Sequence, residues 1–237
     1  MDLYSPIFTR ASTRKYDPTP LPADTLQQIE SFIAGVTPLL PDAQITYQIV
    51  GPDAVKGLAL PDAPHFFVIS GKPQPLRNAC AGFLFQYVDL YLYAIGLASR
   101  WLGTAKPKQD DPNFIIGKAF GTPAEPATRT FSQFDRKPLT EIADGTDPRL
   151  EAVRLAPSGL NGQPWHFIVD GTSVHAYYKK SLGGVIGMTY HLTDLDIGIA
   201  LAHMAVATDH EARPFRFTSV TNPPAPPKGF LYIGTVE

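Results

Sequence analysis

The chain is nearly without cysteine. Cys80 is the one thiol in 237 residues, so no internal disulfide can form, and a reducing, cytoplasmic setting is expected. Basic runs are missing too. Twenty Lys and Arg stand against 22 Asp and Glu, for a net charge of −2, and no lysine or arginine stripe suggests a nucleic-acid partner. The opening "MDLYSPIFTR" has no basic start followed by an apolar stretch, so no signal peptide is expected. The six histidines do not fall at helical ligand spacing with a carboxylate, which argues against a metal site. No G-x-G-x-x-G follows a strand pattern, no P-loop is present, and Ser158 lacks the G-x-S-x-G elbow. A Rossmann dinucleotide fold, a P-loop phosphate site and an elbow-type serine hydrolase all lose support.

What is present describes a well-filled globular chain, 44% hydrophobic. Its most apolar stretch, "AGFLFQYVDLYLYAIGLASRWLG" at 81–103, is long enough to span a bilayer. Gln86 and Asp89 interrupt it and glycines bracket it, so a helix buried in a globular core is the better reading and no membrane association is expected. The 24 prolines fall mostly in connections. "TNPPAPPKG" at 221–229 reads as an extended connector, and "GGVIG" at 183–187 as a flexible loop.

The same series of elements occurs twice. "LPADTLQQIESFIAG", with Pro22 and Asp24 at its start, has helical spacing at Leu26, Ile29 and Ile33. "TDPRLEAVRLAPS" does likewise, with Asp147 as cap, Pro148 in the first turn, and Leu150, Val153 and Leu155 on one side. Each is followed by two strand patterns, "ITYQIVG" and "HFFVISG" in the first half, "WHFIVDG" and "SVHAYYK" in the second. A long apolar helix follows in each, at 78–100 and about 194–208. Each half closes on a strand, "NFIIGKAFG" and "GFLYIGTVE". Hairpin-like neighbours predict mixed or antiparallel sheets packed against helices, an α+β fold. The expected organisation is one domain over 1–237, built from related halves, 1–145 and 146–237.

Two segments carry candidate chemistry. In "RASTRKYDP", Arg10, Ser12 and Arg14 alternate, and in an extended segment they share one face. Two guanidinium forks and a hydroxyl there make either a phosphate clamp or a solvated basic turn. In "APSGLNGQPW", Pro157 and Pro164 fix φ and remove N–H groups. Ser158, Asn161 and Gln163 could then meet the edge of a planar ligand, or simply satisfy a helix-to-strand turn. Trp165 reads as core.

Taken together, these segments resemble the FMN-dependent nitroreductase superfamily. "RASTRKYDPTPLPADTL" resembles its N-terminal signature and "APSGLNGQPWHFIV" its Pro-Ser-Asn segment. "AIGLASRWLG" resembles the end of its central helix, and "GTPAEP…RKPLTEI" a segment near the end of its usual chain. The Pro-Ser-Asn segment is displaced here to the second half, as in the subgroup where one chain imitates the usual homodimer. The resemblance implies a nitroreductase-like fold and one FMN site per chain, with the other pseudo-site degenerate and no second copy required. It implies that Arg10, Ala11, Ser12 and Arg14 hold the phosphate, with Arg136 adding charge. Pro157, Ser158, Gly159 and Asn161 would meet the ring. Leu102, Gly103 and Thr104, just past the central helix, would offer a backbone N–H to it. It also implies an NAD(P)H donor and a small acceptor such as a nitroaromatic or quinone, with no compulsory catalytic acid. Lys106 and Lys108 are candidates for charge near the ring or for the dinucleotide phosphates, or are simply solvated. The rival expectation is a protein that binds or stores FMN without turnover.

Overall fold

The computed structural model describes residues 1–180 and 192–237. The "GGVIG" loop lies outside the described residues. Helix α1 (Ala23–Gly35) buries Ile29 and Ile33, as the helical spacing requires. Strand β1 (Ile45–Val50) pairs antiparallel with β3 (His65–Gly71). The short β2 (Val55–Lys56) pairs with β5 (Lys106–Pro107). Helix α2 (Arg77–Ala94) is followed by β4 (Ala98–Leu102) and β6 (Phe114–Gly121). The second part carries the short α3 (Leu139–Ile142), β7 (Ala143–Asp144) and α4 (Leu150–Arg154). It continues with β8 (Trp165–Asp170), β9 (Ser173–Lys179), α5 (Thr193–His210), β10 (Phe217–Thr218) and β11 (Phe230–Val236).

Two expected boundaries change. The apolar run read as one helix over 78–100 ends at Ala94, and residues 98–102 form a strand. Gly96 takes φ +82°, a left-handed stop that closes the helix. The chain then pairs antiparallel with β6, Trp101 opposite Lys118. Leu102 therefore ends a strand, and Gly103 and Thr104 follow that strand and not the central helix. The second change is at Asp147. Its carboxylate accepts from the backbone N–H of Arg149 (2.9 Å) and from the Arg149 guanidinium, while α4 begins only at Leu150. It shapes the turn before the helix without capping it.

The two larger sheets share one strand order. The first runs β1-β3-β6-β4, and the second runs β8-β9-β11-β10 with β7 added beside β8. Every pairing in these runs is antiparallel except β7 with β8. β7 precedes residue 145 yet belongs to the second sheet.

Helices α2 and α5 pack against each other in the middle, each buried on nearly every side. Their contact is reciprocal. A methyl added at Gly82 would meet the Leu195 carbonyl, and one at Gly198 the Ala79 carbonyl. Beside this crossing the Asn78 amide donates to Asp194 at 2.9 Å, and the pair is 116 residues apart, the same spacing as the two glycines. The glycines let the helix backbones approach where side chains would hold them apart.

Gly198→Ala should therefore destabilise by about 1–3 kcal/mol, because a backbone carbonyl cannot yield to the new methyl. Gly35→Ala is the control. Its added methyl meets nothing within 4 Å, and helix propensity favours alanine by up to about 1 kcal/mol. Urea denaturation of both variants checks the contrast; equal midpoints would contradict the close crossing.

Candidate functional site

A cavity of about 590 Å³ opens between the two halves of the chain. Segment 10–16 enters it as an extended strap. The strap is tied to 122–129 by hydrogen bonds from Ala11 N–H to the Ala127 carbonyl (2.8 Å) and from Asp17 N–H to that of Thr122 (2.9 Å). Ser12 and Arg14 line the cavity, and Arg100 joins them from β4. Among the described residues neither the Arg14 nor the Arg100 guanidinium has a hydrogen-bond or ion-pair partner. Partial burial, and then the like charge of Arg14, lower the Arg100 pKa. Two such guanidinium groups sharing a cavity favour an anion there.

The floor and walls are apolar. Trp101, Leu102 and Ile116 come from the first sheet, and Leu195 and Ile199 from the first turns of α5. Leu58 and Leu160 also line the cavity, 79% and 78% exposed. The turn carrying Leu58 is held to the wall by Thr104, whose hydroxyl donates to the Leu58 carbonyl at 3.0 Å.

The 156–165 loop forms the second-half wall through Pro157, Ser158, Gly159 and Leu160. Leu160, Asn161 and Gln163 sit at φ 53°, 56° and 46°, a region that costs non-glycine residues about 1–2 kcal/mol each. The loop's polar groups hold it there. Ser158 Oγ accepts from Gln163 N–H (2.9 Å), and Asp196 accepts from Gly159 N–H (3.1 Å). Asn161 donates to the Asp135 carbonyl (2.8 Å) and accepts from Arg136 (2.6 Å). Gln163 Oε1 accepts from Lys137 N–H at 2.8 Å.

Of the twelve residues named from sequence, the cavity gathers Ser12, Arg14, Leu102, Gly103, Thr104, Pro157, Ser158 and Gly159. Arg10, Ala11, Arg136 and Asn161 do not line it, nor do Lys106 and Lys108. Arg136 and Asn161 bind each other behind the loop. Burial lowers the Arg136 guanidinium to about 10, with neighbouring arginines adding to the shift.

Arg10 departs from the alternation expected of an extended strap. Its side chain is 3% exposed and its Nε lies 2.7 Å from Asp89. The same carboxylate takes Lys118 Nζ at 2.6 Å, the Ser99 hydroxyl and, at 3.2 Å, the Gln86 amide. Burial pushes the Asp89 pKa upward, but Arg10 and Lys118 outweigh it and hold the group well below the usual carboxylate range. Burial lowers Lys118 to about 8, with Asp89 offsetting part of the loss. This cluster reaches the cavity at two points. Arg10 Nη2 lies 3.1 Å from Ser12 Oγ, and Lys118 Nζ lies 4.2 Å from the centre of the Trp101 ring. Arg100 and Trp101 escaped sequence reasoning because they were placed at the end of a helix; the glycine stop at Gly96 is the signal that could have separated them.

The family model described as "Putative TM nitroreductase" matches residues 2–208, and the chain belongs to that family. Among solved structures, a Thermotoga maritima protein described as a putative nitroreductase is similar over 100% of this chain and 92% of its own. The TM-score is 0.68 and the identity 20%, which supports the nitroreductase-like fold. A nitroreductase family protein of Clostridium difficile matches 60% of this chain and 95% of its own at 15% identity and TM-score 0.48. An FMN-dependent nitroreductase of the same species matches 53% and 91% at 17% and 0.43. No curated protein is significantly similar in sequence. No described helix is long and apolar enough to cross a membrane, and the described residues contain no cluster of His, Cys, Asp and Glu fit for a metal.

Asp89→Asn should leave Arg10 and Lys118 buried without their counter-charge, a loss of about 3–5 kcal/mol readable from urea unfolding. The linkage has a definite sign. A carboxylate depressed in the folded state stabilises above its unfolded value of 3.8 and loses that contribution as pH falls towards its folded value. Wild-type stability from this group should be level above about pH 5 and decline below the unfolded value. The variant should lack that part of the acid dependence.

Proposed function

We propose that the cavity binds FMN and that the protein is an NAD(P)H-dependent oxidoreductase acting on a small organic acceptor. The observation that carries the reading is the pairing of two partnerless arginines, Arg14 and Arg100, with a largely apolar cavity. That donor set suits a ligand with a phosphate at one end and a flat ring system at the other. Arg10 Nη1 is buried and without a partner among the described residues, while Nη2 of the same guanidinium reaches Ser12 Oγ.

In this reading Ser12, Arg14 and Arg100 hold the phosphate. Arg10, engaged with Asp89, steadies Ser12. Trp101, Leu102 and Ile116 pack against the ring system together with Leu195 and Ile199, and exclude water from it. The stiff 157–160 backbone bounds the site from the second half. The bound group supplies hydride and electron transfer between a nicotinamide donor and the acceptor. The repeated strand order and the reciprocal α2–α5 crossing support a chain that builds both sides of its own site, with halves near 1–145 and 146–237. A monomer with one FMN follows.

Flavin titration by fluorescence quenching should saturate near one equivalent per chain. Arg14→Ala and Arg100→Ala should each weaken FMN by about tenfold or more, the loss expected of a charge-assisted contact. Lys15→Ala should change little, since that amine pairs with Glu125 on an exposed surface. A wild-type protein that stays colourless with added FMN, or consumes no NADH or NADPH with menadione present, would refute the flavin or the turnover part respectively.

A further inference from the structure

The flavin reading leaves the buried cation of β6 unused. Lys118 is wholly buried on β6 and does not line the cavity. Its Nζ lies between Asp89 and the face of Trp101, 2.6 Å from the carboxylate and 4.2 Å from the ring centre. Trp101 itself lines the cavity. The Trp101 indole N–H donates to Gln86 at 3.3 Å, and the Gln86 amide reaches both Asp89 (3.2 Å) and His203 (3.0 Å). The ring is thus held by a cation on its face and an amide at its edge. Arg10 and Lys118 carry two positive charges against the single negative charge of Asp89. One positive charge is therefore left over in an interior where salt screens little.

We infer that Lys118 is a positioning residue for the cavity: it fixes Trp101 through its face and lays net positive charge behind that wall, so that the cavity prefers the more negative, electron-loaded form of its ligand. The inference rests on the flavin reading for the ligand, but the contact with Trp101 stands apart from it. A tryptophan ring is a favourable seat for a desolvated ammonium. Methionine at 118 would keep the apolar stem and remove the charge.

Two measurements separate the parts. In cofactor-free protein, Lys118→Met should change the tryptophan emission, because one of the two tryptophans loses a cation from its face. In FMN-loaded protein, the same variant should bind oxidised FMN within about twofold of wild type. Its preference for reduced over oxidised FMN should fall about tenfold, equivalent to a midpoint lower by about 30 mV for a two-electron couple. Unchanged emission together with an unchanged ratio would overturn the inference.

Should the variant fail to fold, the wild type still answers. The Trp101 indole resonance, followed by NMR between about pH 6.5 and 9.5, should show an inflection as Lys118 loses its proton. The groups packed around this cluster titrate elsewhere. Asp89 on α2 lies below the usual carboxylate range, burial lowers His203 on α5 to about 3, and burial raises Tyr16 on the strap far above its ordinary value. Burial lowers Arg129 only to about 10, and Gln86 and Ser99 carry no charge. A Trp101 resonance that stays flat while the Lys118 Nζ signal, followed in the same titration, passes through its own inflection would overturn the contact. Wild-type protein that takes up no FMN would remove the flavin reading and leave the Trp101 measurement to decide the role of Lys118.

Discussion

A single buried carboxylate organises the first-half side of the cavity. Asp89 sits on α2, and its partners come from the N-terminal strap, from β4 and from β6. Arg10 brings the strap to the helix and delivers Ser12 to the cavity, while Lys118 and Ser99 fix the sheet that presents Trp101 and Arg100. Burying three ions is unfavourable unless their geometry is good and their remaining polar atoms are bonded. Asp89 meets most of that demand, accepting from two cations, a hydroxyl and an amide. The strap has little apolar anchorage of its own beyond Tyr16 and Ile7, so this charge pairing gives it a defined position.

The opposite wall obtains its stiffness differently. The 156–165 loop has two prolines, and three non-glycine residues in left-handed backbone. Its amide side chains face the 135–137 segment and its own backbone, which over-determines the strained turn. The cavity meets what is left: a proline, a hydroxyl, a glycine and an exposed leucine. Polar richness in this loop therefore serves shape first. That is why Asn161 and Gln163, conspicuous in the sequence, lie behind the surface that they support.

Much of this was legible in the sequence, because much of it depends on local pattern. The strand patterns in "HFFVISG" and "SVHAYYK", the spacing of Ile29 and Ile33, and the two long apolar helices all correspond to elements of the structure. So does the convergence of Ser12 and Arg14 with Pro157, Ser158 and Gly159, which came from a family resemblance and not from periodicity. What escaped depends on partners distant in the chain. The apolar composition of 81–103 is shared by a helix and a following strand, and only pairing with β6 and the turn at Gly96 divides them. Arg10 looked equivalent to Ser12 and Arg14 because an extended strap treats alternate positions alike. The carboxylate that draws it inward belongs to another element.

The crossing of α2 and α5 has a further consequence. Where two identical helices cross about a twofold axis, a residue on the axis faces its own copy, so donor meets donor or acid meets acid. Here Asn78 faces Asp194, and an amide N–H is matched to a carboxylate oxygen. Burial raises the Asp194 pKa, while the Asn78 hydrogen bond acts in the opposite sense and favours the charged form. Joining the two helices in one polypeptide frees each side of the crossing to vary separately. Complementarity unavailable to a self-paired interface can then be written into its centre.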